Sequence, residues 1–528
     1  MTLEIPSSPT RPRRADWRSL RRKKPPLPLG ALAPRGTLVR PGFAALATSR
    51  RRLLEALVAA GGGARVRPKH DPLLVLVNRI TQGFNRDEFE RAKSLGYQAY
   101  LEEQLDHLAI DDSALDARLA GFTTLTMSPK QIVDNFPIDI TLPYYEIKGA
   151  ALLRSVFSKR QLFERMCEFW NDHFSIDHNK GDAEYLFKPE DDRLTIRQHA
   201  LASFPALLSA SAHGAAMLFY LDNWLNVAGA IQENYARELM ELHTLGVNGG
   251  YTEQDIHEVA ECFTGWTLEG DFSSPDYLRG TFISGYHQGG SKVVLGTTIP
   301  AIPARQNAQR VLDVLSVHPS TARFLAGKLI RWFLTETPPQ AFVDQVAQTY
   351  LDEGGDIKAM LRVILAEENM VWNSPLLGRK FRRPFHLLTS ILRGMGAEVS
   401  DFYYSLYYLI SMGHSPFDWS PPNGYPDKVG VWGNSLLPRW TFLSHLFEGY
   451  IFGVELPSPL QVFELLDIDG PASRPGLAHR INNRILGRAL SFEEEQIVQE
   501  FVDSRPLVWP TVAETIALAA SMPGYQWY

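Results

Sequence analysis

The sequence predicts a mainly α-helical fold: one large multi-helix globular body with long loops and at most a small β-hairpin. Three observations carry this. Apolar residues recur at helical spacing through most of residues 71–528. Gly and Pro stand where helices should stop. Strand-like alternation occurs in one place only. Hydrophobic residues are 45% of the 528, enough for a substantial core.

Residues 1–70 read differently. They are rich in Arg, Pro and Gly and lack periodicity, which predicts a basic, disordered tail. The tail carries 16 Lys/Arg against three acids, Glu4, Asp16 and Glu55. Within it, Ser49-Arg50-Arg51-Arg52-Leu53-Leu54 fits a twin-arginine export pattern, which would place the protein in the periplasm or outside the cell. The apolar stretch after it is short and interrupted by Glu55, so a cytoplasmic protein with a plain basic tail is the other reading.

From residue 71 the helices follow in order. RDEFERAKSLGYQAYLEEQLDHL reads as two helices with a turn at Gly96. KRQLFERMCEFWNDHF is strongly amphipathic, with Phe163, Met166, Cys167, Trp170 and Phe174 on one stripe and His173 at its border. TARFLAGKLIRWFL, PPQAFVDQVAQTYLDEG, IKAMLRVILAEE and FRRPFHLLTSILRGMG complete the strong helical patterns. Residues 280–296 predict a small hairpin turning at Gly289-Gly290. Long loops fall near 267–305 and 413–438, and the Pro/Gly/aromatic loop 413–432 is of a kind that lines pockets or clamps peptides.

The densest stretch of polar chemistry runs from Glu233 to Trp266. At 100° per residue, Ile231, Tyr235, Leu239, Leu242 and Leu245 form the buried face of its first helix. Glu233, Arg237 and Glu241 form an i,i+4 ladder, and His243 lies at the stripe's edge. Glu238 falls inside the apolar stripe, where an unpaired carboxylate is costly. It is either a metal ligand or general acid/base, or a structural acid bonded to Arg or backbone N–H groups. HEVAE (257–261) begins like a zinc motif, but ends in Glu261 where the motif needs His. His257 and Glu261 are expected to face water behind a cap beginning at Thr252.

Other candidates are Asp222, Asn226 and Asn234, acid and amide groups able to bind a substrate, with Trp170 beside them. His173, Glu238 and His287 are the candidate metal ligands, and His178 a weaker one. Histidine among Trp and Phe suits a transition-metal or haem centre, so the sequence suggests a metal- or haem-dependent oxidoreductase with His173 and Glu238 as its catalytic pair. The alternative is a non-catalytic partner or maturation factor for another exported protein. Cys167 and Cys262 form either two buried thiols or one bridge. With the tail's net +13 removed, the body carries −19, a poor surface for nucleic acid. No apolar run is long enough to span a bilayer. Phosphate-loop, dinucleotide and nucleophile-elbow motifs do not occur.

Several ordered blocks resemble the bacterial domain-of-unknown-function 1800 family from about residue 72 to 445. They are LLVLVNRITQGFNRDEFERAKSLGYQAYLEEQLD, MCEFWNDHF, YLDNWLN with ENYARELMELHTLGVNGGYTEQDIHEVAECFTGW, HPSTARFLAGKL, GRKFRRPF and PPNGYPD. The family pattern has His-Asp in the middle loop, whereas this chain has His287-Gln288. At His243 relatives often carry Phe. His173 and Glu238 match the pattern. The resemblance implies a large helical protein, often exported and often encoded beside an exported family numbered 1501, which makes a protein of that second family a candidate partner.

Overall fold

The computed structural model describes residues 71–137, 141–181, 184–371 and 374–528. The basic tail and its export pattern lie outside them. The described chain is mainly helical, as expected, with three two-stranded antiparallel sheets among the described residues. No helix among them is long and apolar enough to cross a membrane.

Among the helices, those that position the site are α1 (Thr141–Phe157), α2 (Gln161–Phe174), α3 (Glu184–Glu190), α4 (Asn234–Glu238), α5 (Glu253–Phe263), α6 (Pro319–Phe333), α7 (Pro384–Met395), α8 (Leu436–Phe447) and α9 (Trp509–Ser521). Sequence chemistry starts them. Thr252 and Asp255 close a reciprocal capping box on α5, and Pro occupies the first turn of α6, α7 and α9. The turn expected at Gly96 is present, with φ of 83° between two helices.

Two helices run on into π-helical turns. Pro189 lacks an N–H within α3, and the helix widens over Asp191–Arg197. After α4 the turn Leu239–Thr244 is also π-helical, and the Thr244 hydroxyl donates to the Leu239 carbonyl at 2.7 Å. This turn corrects the helical wheel. Beyond Glu238 the faces rotate, so Leu242, expected in the apolar stripe, is only half-buried, while His243 and Thr244 are buried.

The hairpin expectation is also corrected. Residues 280–296 do not pair with one another across Gly289-Gly290. Strand β1 (Trp266–Leu268) pairs with β2 (Gly280–Phe282), and β3 (Lys292–Val294) with β4 (Thr297–Ile299). The Trp266 and Phe282 rings meet at 5.6 Å across the first pair. Leu295 and Gly296, at φ of 48° and 75°, supply the two left-handed residues of the second turn.

Burial divides the body into two main apolar cores. One gathers residues between Leu73 and Leu377, including the stripe of α2. The other is built largely from residues 385–525, including α7, α8 and α9, with Leu152, Leu153 and Val156 of α1 joining it. The polar face of α2 lies along the seam. Loop 413–432 covers this face, and its Gly424 (φ 77°) sits so close that a Cβ there would lie 2.0 Å from the Asp172 carbonyl oxygen. Gly424→Ala therefore has to push the loop off α2. It should cost more than about 1 kcal/mol in denaturant unfolding, whereas Gly430→Ala, with nothing within 4 Å, should cost less.

Candidate functional site

The residues singled out in the sequence do not converge. Trp170 is fully buried and its Nε1 donates to the Ala200 carbonyl at 3.0 Å. Asn226 is buried with its hydrogen bonds taken: Nδ2 donates to Ala260 O and Asn223 Oδ1, and Oδ1 accepts from Gln232 N. Asn226 and Asn223, whose Nδ2 reaches Phe263 O and Trp266 O, staple their turn to the end of α5. Asp222 pairs with Lys180 at 3.1 Å, and exposed Asn234 donates to Leu221 O. Glu238 is half-buried. Burial raises its pKa, aided by Glu241 and opposed by Arg237. It shares no hydrogen bond or ion pair with His173. The ladder lies at the surface, and His257 and Glu261 face solvent as expected, with His257 bonded to Glu233 at 2.8 Å. Cys167 and Cys262 are free, buried thiols.

His173 is buried beside Phe169, Trp170, Phe174 and Phe204. Its Nε2 lies 3.1 Å from the His243 carbonyl, which can only accept, so Nε2 carries the proton. Nδ1 then accepts from Lys328 Nζ of α6 at 2.9 Å. Burial drives the imidazole pKa well below its ordinary value, so the ring is neutral. His287 is held separately, by Thr264 through Nδ1 and Asn307 through Nε2. His178 is buried between Tyr144 and Tyr185.

His173, Glu238 and His287 do not assemble a metal centre. Both ring nitrogens of His173 are engaged, and no group of three or more His, Cys, Asp or Glu able to hold an ion occurs among the described residues. The expected set His173, Glu238 and His287 is not brought together: the two histidines are each bonded into a local network, and Glu238 shares no bond with either.

A site does form on the opposite face of α2. Glu164, Glu168 and Asp172 stand one turn apart, and with α1, Arg197, Phe385 and loop 413–432 they line a cavity of about 70 Å³ at the seam. Carboxylates at i,i+4 repel one another, so this row requires cations from elsewhere. Arg197 forks onto Glu164 at 2.9 and 2.7 Å, and Arg154 reaches Asp192 at 3.1 Å. Arg383, just before α7, bridges Glu168 and Asp172, meeting Asp172 Oδ2 at 2.5 Å, and lies over the Trp332 ring. Phe417, Trp419 and Tyr425 form the aromatic wall. The loop is tied down by Ser175 Oγ donating to Pro421 O, Tyr220 OH to Ser420 O and Tyr425 OH to Ser415 O.

Asp172 is the unusual member. Burial raises its pKa to about 6, and Glu168 adds to this against the pull of Arg383. No hydrogen bond to Oδ1 occurs among the described residues, and the side chain is one-fifth exposed, on the cavity wall. On its other side Lys328 is brought down to about 7 by burial, with Asp172 partly restoring it. A carboxyl and an amine that both titrate near neutrality, one of them opening on a cavity, are suited to proton exchange. This row does not stand out in the sequence, because polar residues on a polar helix face look ordinary. The like-charge spacing of Glu164, Glu168 and Asp172 was the available signal.

Two outcomes are expected. The folded pKa of Asp172 lies above its ordinary 3.8, so its contribution to stability is greatest below that value and is lost as pH rises through about 6. Asp172→Asn should remove this loss, on the order of 2 kcal/mol between pH 4 and 7 in urea titrations; parallel wild-type and variant profiles would disprove the assignment. His173→Ala should destabilise by about 2–4 kcal/mol through the cavity left and the stranded Lys328.

A model of the family described as "Protein of unknown function (DUF1800)" matches residues 75–527, reaching well past the blocks that end near 445. No curated protein and no solved structure matches the chain. The helical body, nearly all of it covered by that one model, belongs to the DUF1800 family.

Proposed function

We propose that the protein binds a small polar ligand in the seam cavity and exchanges a proton with it through Asp172. The observation that supports this most is the state of that carboxyl. One oxygen is fixed by Arg383, the other has no hydrogen bond among the described residues, and the group titrates near pH 6 on a cavity wall. Glu164 and Asp192 each have an arginine of their own, which leaves Asp172 as the carboxylate with acceptor capacity to spare. The aromatic loop excludes water from one side and offers ring faces to a cationic or apolar group. This replaces the expected metal- or haem-dependent oxidoreductase, whose donor set the described residues do not assemble.

A screen of small amines, alcohols and hydroxy acids by thermal shift should give a ligand that raises Tm in the wild type. Its affinity should depend on pH around 6, fall at least tenfold in Trp419→Ala, and lose the pH dependence in Asp172→Asn. A ligand indifferent to both variants would overturn the reading. Metal analysis and a visible spectrum of the purified full chain provide the counter-test. The expected result is colourless protein without stoichiometric transition metal; a centre lost in His173→Ala would restore the oxidoreductase reading.

The partner-binding alternative has one feature in its favour. Tyr403, Tyr407 and Ile410, at helical spacing on Tyr403–Ser411, are 44%, 39% and 41% exposed. An exported protein of the 1501 family should then co-purify with the wild type and not with Tyr407→Lys. Association unaffected by that change would count against it.

A further inference from the structure

A second cavity, of about 110 Å³, lies where residues 524–528 meet the helix Pro72–Ile80 and the segment leading into α7. Its wall carries Arg79, Arg379, Arg382 and Arg488, together with Trp527 and Tyr528, and no Asp or Glu among the described residues that line it. In a body whose net charge is strongly negative, that is a local inversion of sign. Low-dielectric walls concentrate the field of such a cluster and raise the local concentration of anions.

Arg382 is the deepest of these arginines, only 1% exposed. Its Nη1 donates to the carbonyls of Tyr525, at 2.6 Å, and Trp527, and its guanidinium lies against the Tyr525 and Tyr528 rings. Its Nε has no hydrogen-bond partner, and burial holds its pKa below the ordinary guanidinium value. Arg439, also buried, donates to the Arg382 carbonyl and adds a second cation, its pKa held down to about 9 by burial and by Arg382. Buried guanidinium groups normally face carboxylates, and among the described residues neither Arg382 nor Arg439 does. Arg488 stands exposed at the mouth in the left-handed region, at φ of 60°, directly after Gly487 at 66°. No hydrogen bond or ion pair of its side chain occurs among the described residues. A non-glycine residue kept in that conformation beside a cavity marks a position fixed by more than local preference.

We propose that this cavity is an anion site, which takes the oxyanion of a phosphate ester or of a carboxylate on the forks of Arg382 and Arg488. The planar guanidinium matches both oxyanions through paired N–H donors. Trp527 and Tyr528 offer ring faces to whatever carries the group. The site is independent of the proton-exchanging cavity, although Arg165 links the two by donating to Tyr528 OH at 3.1 Å and pairing with Glu168 at 3.1 Å.

The test is calorimetric titration of the full chain at low ionic strength, with inorganic phosphate and acetate as separate titrants. Saturable binding of at least one is expected. It should weaken tenfold or more in Arg488→Ala and in Arg382→Lys, which keeps charge but loses the fork. Arg323→Ala, which removes an exposed cation paired with Asp344 elsewhere, should leave it unchanged. Preference for phosphate identifies a phosphate ester as the natural class, and preference for acetate a carboxylate. Absence of saturable binding by either titrant, or binding equally affected by Arg323→Ala and Arg488→Ala, would overturn the proposal. Arg488 is exposed, so its variant keeps the test decisive if Arg382→Lys fails to fold.

Discussion

The bridge from Arg383 to Glu168 and Asp172 is the constraint on which the rest of the arrangement depends. Two carboxylates one turn apart on a helix cannot be left side by side in a shielded place without a shared cation. Arg383 stands at the start of α7, whose apolar face belongs to one core, while α2 presents its apolar face to the other. This guanidinium thus both holds the two carboxylates and registers the two halves of the body. Its guanidinium also lies over the Trp332 ring, 4.5 Å from the centroid, a contact that adds to the two ion pairs. Glu168 has Arg165 as a second cation, whereas Asp172 has Arg383 alone, and burial together with Glu168 raises the pKa of Asp172 against that pull. The reactive group and the structural joint are the same contact.

His173 has a comparable double character. It is surrounded by rings, which make it conspicuous in the sequence, yet its chemistry is fixed by what it touches. A carbonyl sets its tautomer, and Lys328 occupies the remaining nitrogen. The imidazole therefore positions Lys328 next to Asp172 and takes no ligand itself. An aromatic setting makes a histidine neutral, but whether a neutral histidine is free to coordinate is decided by its hydrogen bonds.

Much of the fold could be read from the sequence because it depends on local rules. The Gly96 turn, the Thr252 cap and the water-facing His257 and Glu261 follow from periodicity and capping alone. The π turn after Glu238 could not be read in this way. It depends on Thr244 bonding back to Leu239, a choice invisible to a fixed angular step, and it moved His243 inward and Leu242 outward. The paired strands around 266–299 escaped for a related reason: β2 found its partner in Trp266, upstream of the interval that the Gly-Gly signal framed. The site was half legible. The sequence pointed to α2, the helix that lines the seam cavity, through its border residue His173 rather than through Glu164, Glu168 and Asp172. Their significance requires Arg197 and Arg383, which are distant in the chain and meet them only in three dimensions. Arg383 was in view within the GRKFRRPF block, though without a partner to give it meaning.

The seam between the two cores also carries a thermal consequence. Apolar burial within each half and ionic contact between the halves respond oppositely to temperature: the hydration that competes with a buried ion pair becomes less favourable on warming, whereas the gain from apolar burial levels off. A molecule joined along Arg383 and Arg154 is therefore held together relatively better when warm. Cold, rather than heat, is the condition under which its halves should first separate, each still folded around its own core.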